Sequence, residues 1–127
     1  MTSSNSSIYD SFAIVDNDIV TTILNQANGD AQFVSILFDS FITEGQDTIK
    51  SIEIALNTND YKKISEEIHA LKGLAGTMGV SQVFEICKAM DSFFKQAKPT
   101  DALTLFPILT SKYLIAKEYI TANYLKD

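Results

Sequence analysis

Apolar side chains recur every three or four residues from about residue 16 almost to the C-terminal end, and two-residue alternation is absent over any useful length. This is the period of helices with one buried face. Short polar breaks divide it. Asp16 or Asn17 can cap a first helix carrying Ile19, Val20, Ile23 and Leu24, which closes at Asn28-Gly29. Asp30 can cap a long second helix to about Leu56, with Phe33, Leu37, Phe41, Thr48, Ile52 and Ala55 on one stripe. Gly45 interrupts it at a cost of about 1 kcal/mol relative to alanine, tolerable in so long a helix. Asn59 caps a third helix through Tyr61, Ile64, Ile68, Leu71 and Ala75 to a stop near Gly79. Ser81 caps a fourth, with Val83, Ile86, Cys87, Met90, Phe93 and Phe94 inward, ending before Pro99. Thr100 opens the last segment. Pro107 either kinks it or begins its main helix, since the ring fits a first turn and clashes deeper in. Leu109, Tyr113, Ala116, Ile120 and Tyr124 continue that stripe.

Short loops between amphipathic helices predict antiparallel neighbours. The expected fold is all-α: an antiparallel up-down four-helix bundle with an additional short N-terminal helix across one end. Residues 1–11, Ser-rich and aperiodic, read as a flexible tail, and 12–127 as a single domain. At 127 residues the chain can bury a substantial core.

Composition narrows the function. Net charge is −6, from ten lysines, no arginine and sixteen acidic residues. That balance argues against a nucleic-acid partner, because phosphate neutralisation needs basic density. The bidentate guanidinium fork is also missing, so any arginine-dependent phosphoryl chemistry has to come from a partner. The single cysteine, Cys87, forms no disulfide within the chain and reads as a small buried hydrophobe. No apolar run approaches the roughly 18 residues of a membrane span, and the N-terminus lacks the pattern of a secretory signal. A cytoplasmic protein is expected, a monomer by default; the tail and the complete bundle favour a free-standing one.

The lone histidine carries the chemistry. With Ile64 at zero and about 100° per residue, Ile64, Ile68, Leu71, Ala75 and Met78 fall between about −40° and about +40°. His69 falls at about 140°, Lys72 at about 80°, Ser65 at about 100°, Gly76 at about 120° and Gly73 at about 180°. The imidazole therefore projects to water from a rigid helix. With a reference pKa of about 6.5, much of it is an unprotonated nucleophile near neutral pH. Lys72 is a point charge able to approach phosphoryl oxygens. Each mid-helix glycine costs roughly 0.8–1 kcal/mol, so Gly73 and Gly76 together imply that something else must approach the backbone closely. A plain surface histidine leaves that glycine pair unexplained.

The run His69, Lys72, Gly73 and Gly79 resembles the motif of histidine-containing phosphotransfer (HPt) domains: a histidine, Lys-Gly three and four residues on, and a glycine ten residues on. The likeness extends over about residues 16–124. It implies that His69 is the phosphoacceptor, exchanging a phosphoryl group with aspartates of response-regulator receiver domains downstream of a hybrid sensor histidine kinase. It implies a carrier without independent catalysis, with no cofactor of its own and Mg²⁺ held by the receiver. Many family members carry glutamine on the next helix, at the position that Asp91 takes in this chain. A carboxylate there is closer to chemotaxis-type kinases, which use glutamate. In that role Asp91 accepts a hydrogen bond from one ring nitrogen and sharpens the other; the alternative is a surface charge.

Candidate docking residues lie on the first two helices, with two on the second. Ile36 lies about 130° from the centre of its stripe, and Phe33 at the stripe's edge. Two other classes compete: a phosphorylation-independent helical adaptor, and a metal- or ligand-binding bundle. One histidine and one cysteine on different helices give the latter no ligand set of recognisable spacing.

Overall fold

A computed structural model describes residues 8–125. Six α-helices follow a short 3₁₀ turn at Tyr9–Ser11: α1 (Asn17–Gln26), α2 (Ala31–Leu56), α3 (Tyr61–Met78), α4 (Ser81–Lys95), α5 (Pro99–Thr104) and α6 (Phe106–Tyr124). The four long ones, α2, α3, α4 and α6, pack in a ring, each against the next and α6 back onto α2. The pairings run antiparallel: Phe38 stacks on Tyr124 with ring centroids 4.5 Å apart, while Gly45 lies against Tyr113. The all-α bundle is as the periodicity predicts. α1 crosses one end, near the C-terminal ends of α3 and α6.

The helix starts follow carboxylate capping. Asp16 accepts from the backbone N–H of Asp18 at 2.9 Å, and Asp30 from those of Gln32 and Phe33 at 3.0 and 3.2 Å. Two expected caps are corrected. α3 is capped by Asp60, which accepts from the N–H of Lys63 at 3.2 Å; Asn59 instead takes the turn's left-handed position, φ 53°. α4 has no side-chain cap, and Ser81 is its first residue. Its Gln82 N–H donates to the carbonyl of Ala13 at 3.2 Å, and the Gln82 side-chain amide donates to that of Phe12 at 3.0 Å. The N-terminal segment thus satisfies donors that a cap would otherwise take. Tyr9–Ser11 falls within the stretch expected as tail, yet it forms a turn whose Asp10 pairs with buried Lys112 of α6. The rest of that tail, residues 1–7, lies outside the described residues.

Pro107 sits in the first turn of α6 and starts it rather than kinking it. The α2 stripe differs from expectation in its first half. Val34, Phe38 and Ile42 are buried, not Phe33 and Leu37, and Thr48 is only partly covered beside buried Ile49. In α4, Phe93 and Phe94 are half-buried against the core, while Val83, Ile86, Cys87 and Met90 are fully enclosed. Gly45 has a packing reason: a Cβ there would meet the Tyr113 ring at 2.6 Å. The ring needs that room to send its hydroxyl to the Ile42 carbonyl.

The rotation of α3 matters most for function. Ile64, Ile68, Leu71, Ala75 and Met78 are all buried on one stripe. Each large aliphatic side chain contributes about 1.5–3 kcal/mol by burial. Turning α3 far enough to bury His69 would expose several of them, so the core itself fixes where the imidazole points. Gly79 closes the helix in the left-handed conformation, φ 73°, and its carbonyl accepts from Asp16 N–H at 2.7 Å. Ile19 packs so closely there that a Cβ on Gly79 would lie 2.9 Å from it.

Candidate functional site

His69 stands in the middle of α3 with 65% of its side chain exposed. On one side is α4, whose Asp91 is almost entirely buried; its Oδ2 lies 3.6 Å from His69 Nδ1. That is too long for a hydrogen bond. The expected Asp91–imidazole hydrogen bond is therefore not made, because the carboxylate is engaged elsewhere. Lys72 Nζ donates to the same Oδ2 at 2.7 Å, and Lys95 Nζ lies 3.1 Å from it. Burial acts to raise the Asp91 pKa, but the two ammonium groups outweigh it and hold the carboxyl below its ordinary range. The group facing the ring is thus a carboxylate, and not a surface charge.

Lys72 lies one turn beyond His69, as its spacing predicts, and only 22% of its side chain is exposed. Lys95 is absent from the sequence reading. Its signal was available, since it stands four residues after Asp91 on the same helix, the spacing of a helical ion pair. That Lys95 would also border the histidine required knowing how α4 is turned against α3.

On the other side of His69 an open groove runs between α2 and α3, walled by Glu44, Thr48, Gly73, Leu74 and Thr77. Gly73 is exposed, and a Cβ added to it would meet nothing within 4 Å. Its bare backbone keeps the histidine's flank low. Gly76 is different, and the reading of a glycine pair kept open for a visitor is corrected for it. A Cβ there would come within 3.1 Å of the Phe84 ring, so this glycine lets α4 approach α3. Ser65, one turn before His69, is half-buried and outside the cluster around Asp91.

Ile36 and Phe33 are exposed, at 57% and 45%. They lie on the first turns of α2. Phe33 shares a face with groove residue Glu44, about three turns and roughly 16 Å away, so neither is an immediate neighbour of the imidazole. Cys87, one turn from Asp91, is fully enclosed; burial and the nearby carboxylate push its thiol well up, which keeps it unreactive. Among the described residues no cluster of three or more His, Cys, Asp or Glu could hold a metal ion, and no helix is long and apolar enough to cross a membrane.

A helical bundle that offers a solvent-facing imidazole beside a lysine and a bare glycine defines the class: a carrier of a group on histidine. The Hpt domain family matches residues 36–118, most of the bundle, and the chain belongs to that family. In fold it is similar to histidine-containing phosphotransfer protein B (HptB) from Pseudomonas aeruginosa PAO1, with a TM-score of 0.79 and 17% identity over 90% of this chain and 96% of that one. No curated protein matches it.

Proposed function

We propose that this protein is a histidine phosphotransfer component of a two-component phosphorelay and that His69 carries the phosphoryl group. The observation supporting this most directly is the 65% exposure of a side chain on a helix whose rotation the core has fixed. In the proposed step the imidazole nitrogen remote from Asp91, Nε2, attacks an aspartyl phosphate of a receiver domain. The N–P bond forms as the acyl O–P bond breaks, and the aspartate leaves as a carboxylate. The proton stays on Nδ1, so the ring gains positive charge, which the Asp91 carboxylate 3.6 Å away offsets. Lys72, one turn beyond His69 and held on Asp91, adds positive charge beside the phosphoryl oxygens in this reading. Phosphoramidate and acyl phosphate have comparable transfer potential, so the step runs in both directions.

The remaining parts belong to the partner. The receiver supplies the acidic pocket and Mg²⁺, and this chain needs no cofactor and catalyses nothing alone. A hybrid sensor kinase stands upstream, and the setting is the cytoplasm. Docking then sets specificity by bringing the two reacting groups in line; the groove beside Gly73 and the exposed Ile36 and Phe33 are the surfaces proposed for it.

The test is incubation with phosphorylated receivers. Label on wild type and none on His69→Gln supports the relay. Stable receiver binding without label on either protein would instead favour a phosphorylation-independent adaptor.

A further inference from the structure

The geometry points to Lys95 as a phosphoryl-binding cation, held on Asp91 while His69 is empty and transferred to the phosphoryl oxygens once His69 is loaded. The inference rests on the relay reading above and deepens it.

Three observations carry it. First, a single atom, Asp91 Oδ2, is 2.7 Å from Lys72 Nζ, 3.1 Å from Lys95 Nζ and 3.6 Å from His69 Nδ1. Both ammonium groups are therefore held on the one carboxylate oxygen that also approaches the ring, within a lysine side chain's reach of a group bound on it. Second, the charges do not cancel: two ammonium groups share one carboxylate, leaving one positive charge for an arriving phosphoryl dianion. Third, the two lysines differ in freedom. Lys72 is 22% exposed and Lys95 67%. Asp91 is buried and needs one cation to remain ionised at low cost. Lys72 can stay as that partner, and Lys95 loses little by leaving.

The ordinary explanation of Lys95 is a helical i,i+4 pair near a helix C-terminus, where a cation is favoured anyway. Such a pair accounts for an exposed carboxylate with one lysine. It does not account for a buried carboxylate shared by two cations beside the one histidine. Asp91 acts here through the lysines, as a positioning residue.

The test loads the full chain from a small donor, so that docking plays no part. Inorganic phosphoramidate in a fixed ratio with ammonia phosphorylates imidazole reversibly: its N–P bond breaks, ammonia leaves and the histidine N–P bond forms. The phosphorylated fraction at equilibrium, read by ³¹P NMR, gives the loading constant. Lys95→Ala lowers it by about fivefold, the upper range for an exposed ion pair, and Lys95→Arg restores it. Lys95→Met, which keeps the aliphatic stem and removes the charge, lowers it by the same factor. Loss of structure alone would lower the constant for Lys95→Arg as well. A loading constant indifferent to Lys95, or one that arginine does not restore, overturns the proposal and leaves the relay reading intact. Failure of wild-type His69 to load at all overturns both.

Discussion

Asp91 concentrates the opposing electrostatics of the site: a buried carboxylate made affordable by two lysines. Removing the charge leaves the half-buried Lys72 ammonium without its counter-ion, at a cost of about 1–3 kcal/mol. The dependence on pH has a definite sign. A carboxyl held below its ordinary pKa in the folded protein stabilises the fold wherever the unfolded carboxylate is ionised, above about pH 4. That contribution disappears as pH falls through the folded value. Urea unfolding of wild type and Asp91→Asn should therefore show a clear gap at pH 7 that closes as the medium is made acid, below the ordinary carboxyl range. A gap of equal size at pH 7 and in acid would mean that Asp91 acts through shape and not charge.

At the scale of single helices, the two glycines beside His69 separate into different roles, and alanine substitution distinguishes them. Gly73→Ala meets nothing and gains helix propensity, so thermal unfolding should show stabilisation by up to about 1 kcal/mol. The same change roughens the groove, and phosphotransfer from a receiver should slow several-fold. Gly76→Ala pushes a methyl to 3.1 Å from Phe84, so the ring must give way and the propensity gain is lost. A Gly73→Ala protein with unchanged transfer would remove the groove from the docking surface.

Helices also differ in how much of them the sequence reveals. On α3, the apolar residues at 64, 68, 71, 75 and 78 define one stripe, and the doublet partners Ala70 and Leu74 widen it only on the side away from His69, so the outward histidine is readable. On α2 they come in doublets, Phe33-Val34, Leu37-Phe38 and Phe41-Ile42. Either member of a doublet fits a helical period, and only the neighbours choose; Tyr124 stacks on Phe38 and turns the first half by one residue. Lys95 and the true use of Gly76 stayed hidden for a related reason. Both depend on how α4 is rotated against α3, a tertiary fact that no single-helix pattern contains.

Across the whole molecule, an acidic chain without arginine presents its nucleophile on one side, and docking has to rely on shape and apolar contact more than on basic charge. Ile36 is the sharpest test of that surface. Being 57% exposed, it can be replaced by aspartate with stability changed by no more than about 0.5 kcal/mol. Receiver-to-His69 transfer should nevertheless slow at limiting receiver concentration and recover at saturation. Transfer unaffected at every concentration would place the docking face elsewhere, with the groove between α2 and α3 the next surface to probe.

The chemistry turns on one nitrogen of His69. Asp91 lies on the Nδ1 side of the imidazole, a side chain 65% exposed, which leaves Nε2 as the nitrogen remote from the carboxylate. A long-range ¹H–¹⁵N correlation spectrum of the chain, recorded after phosphorylation by a receiver, tests this directly. Phosphorus is expected on Nε2 of His69. A phosphoryl group on Nδ1, or on any other residue, would contradict it.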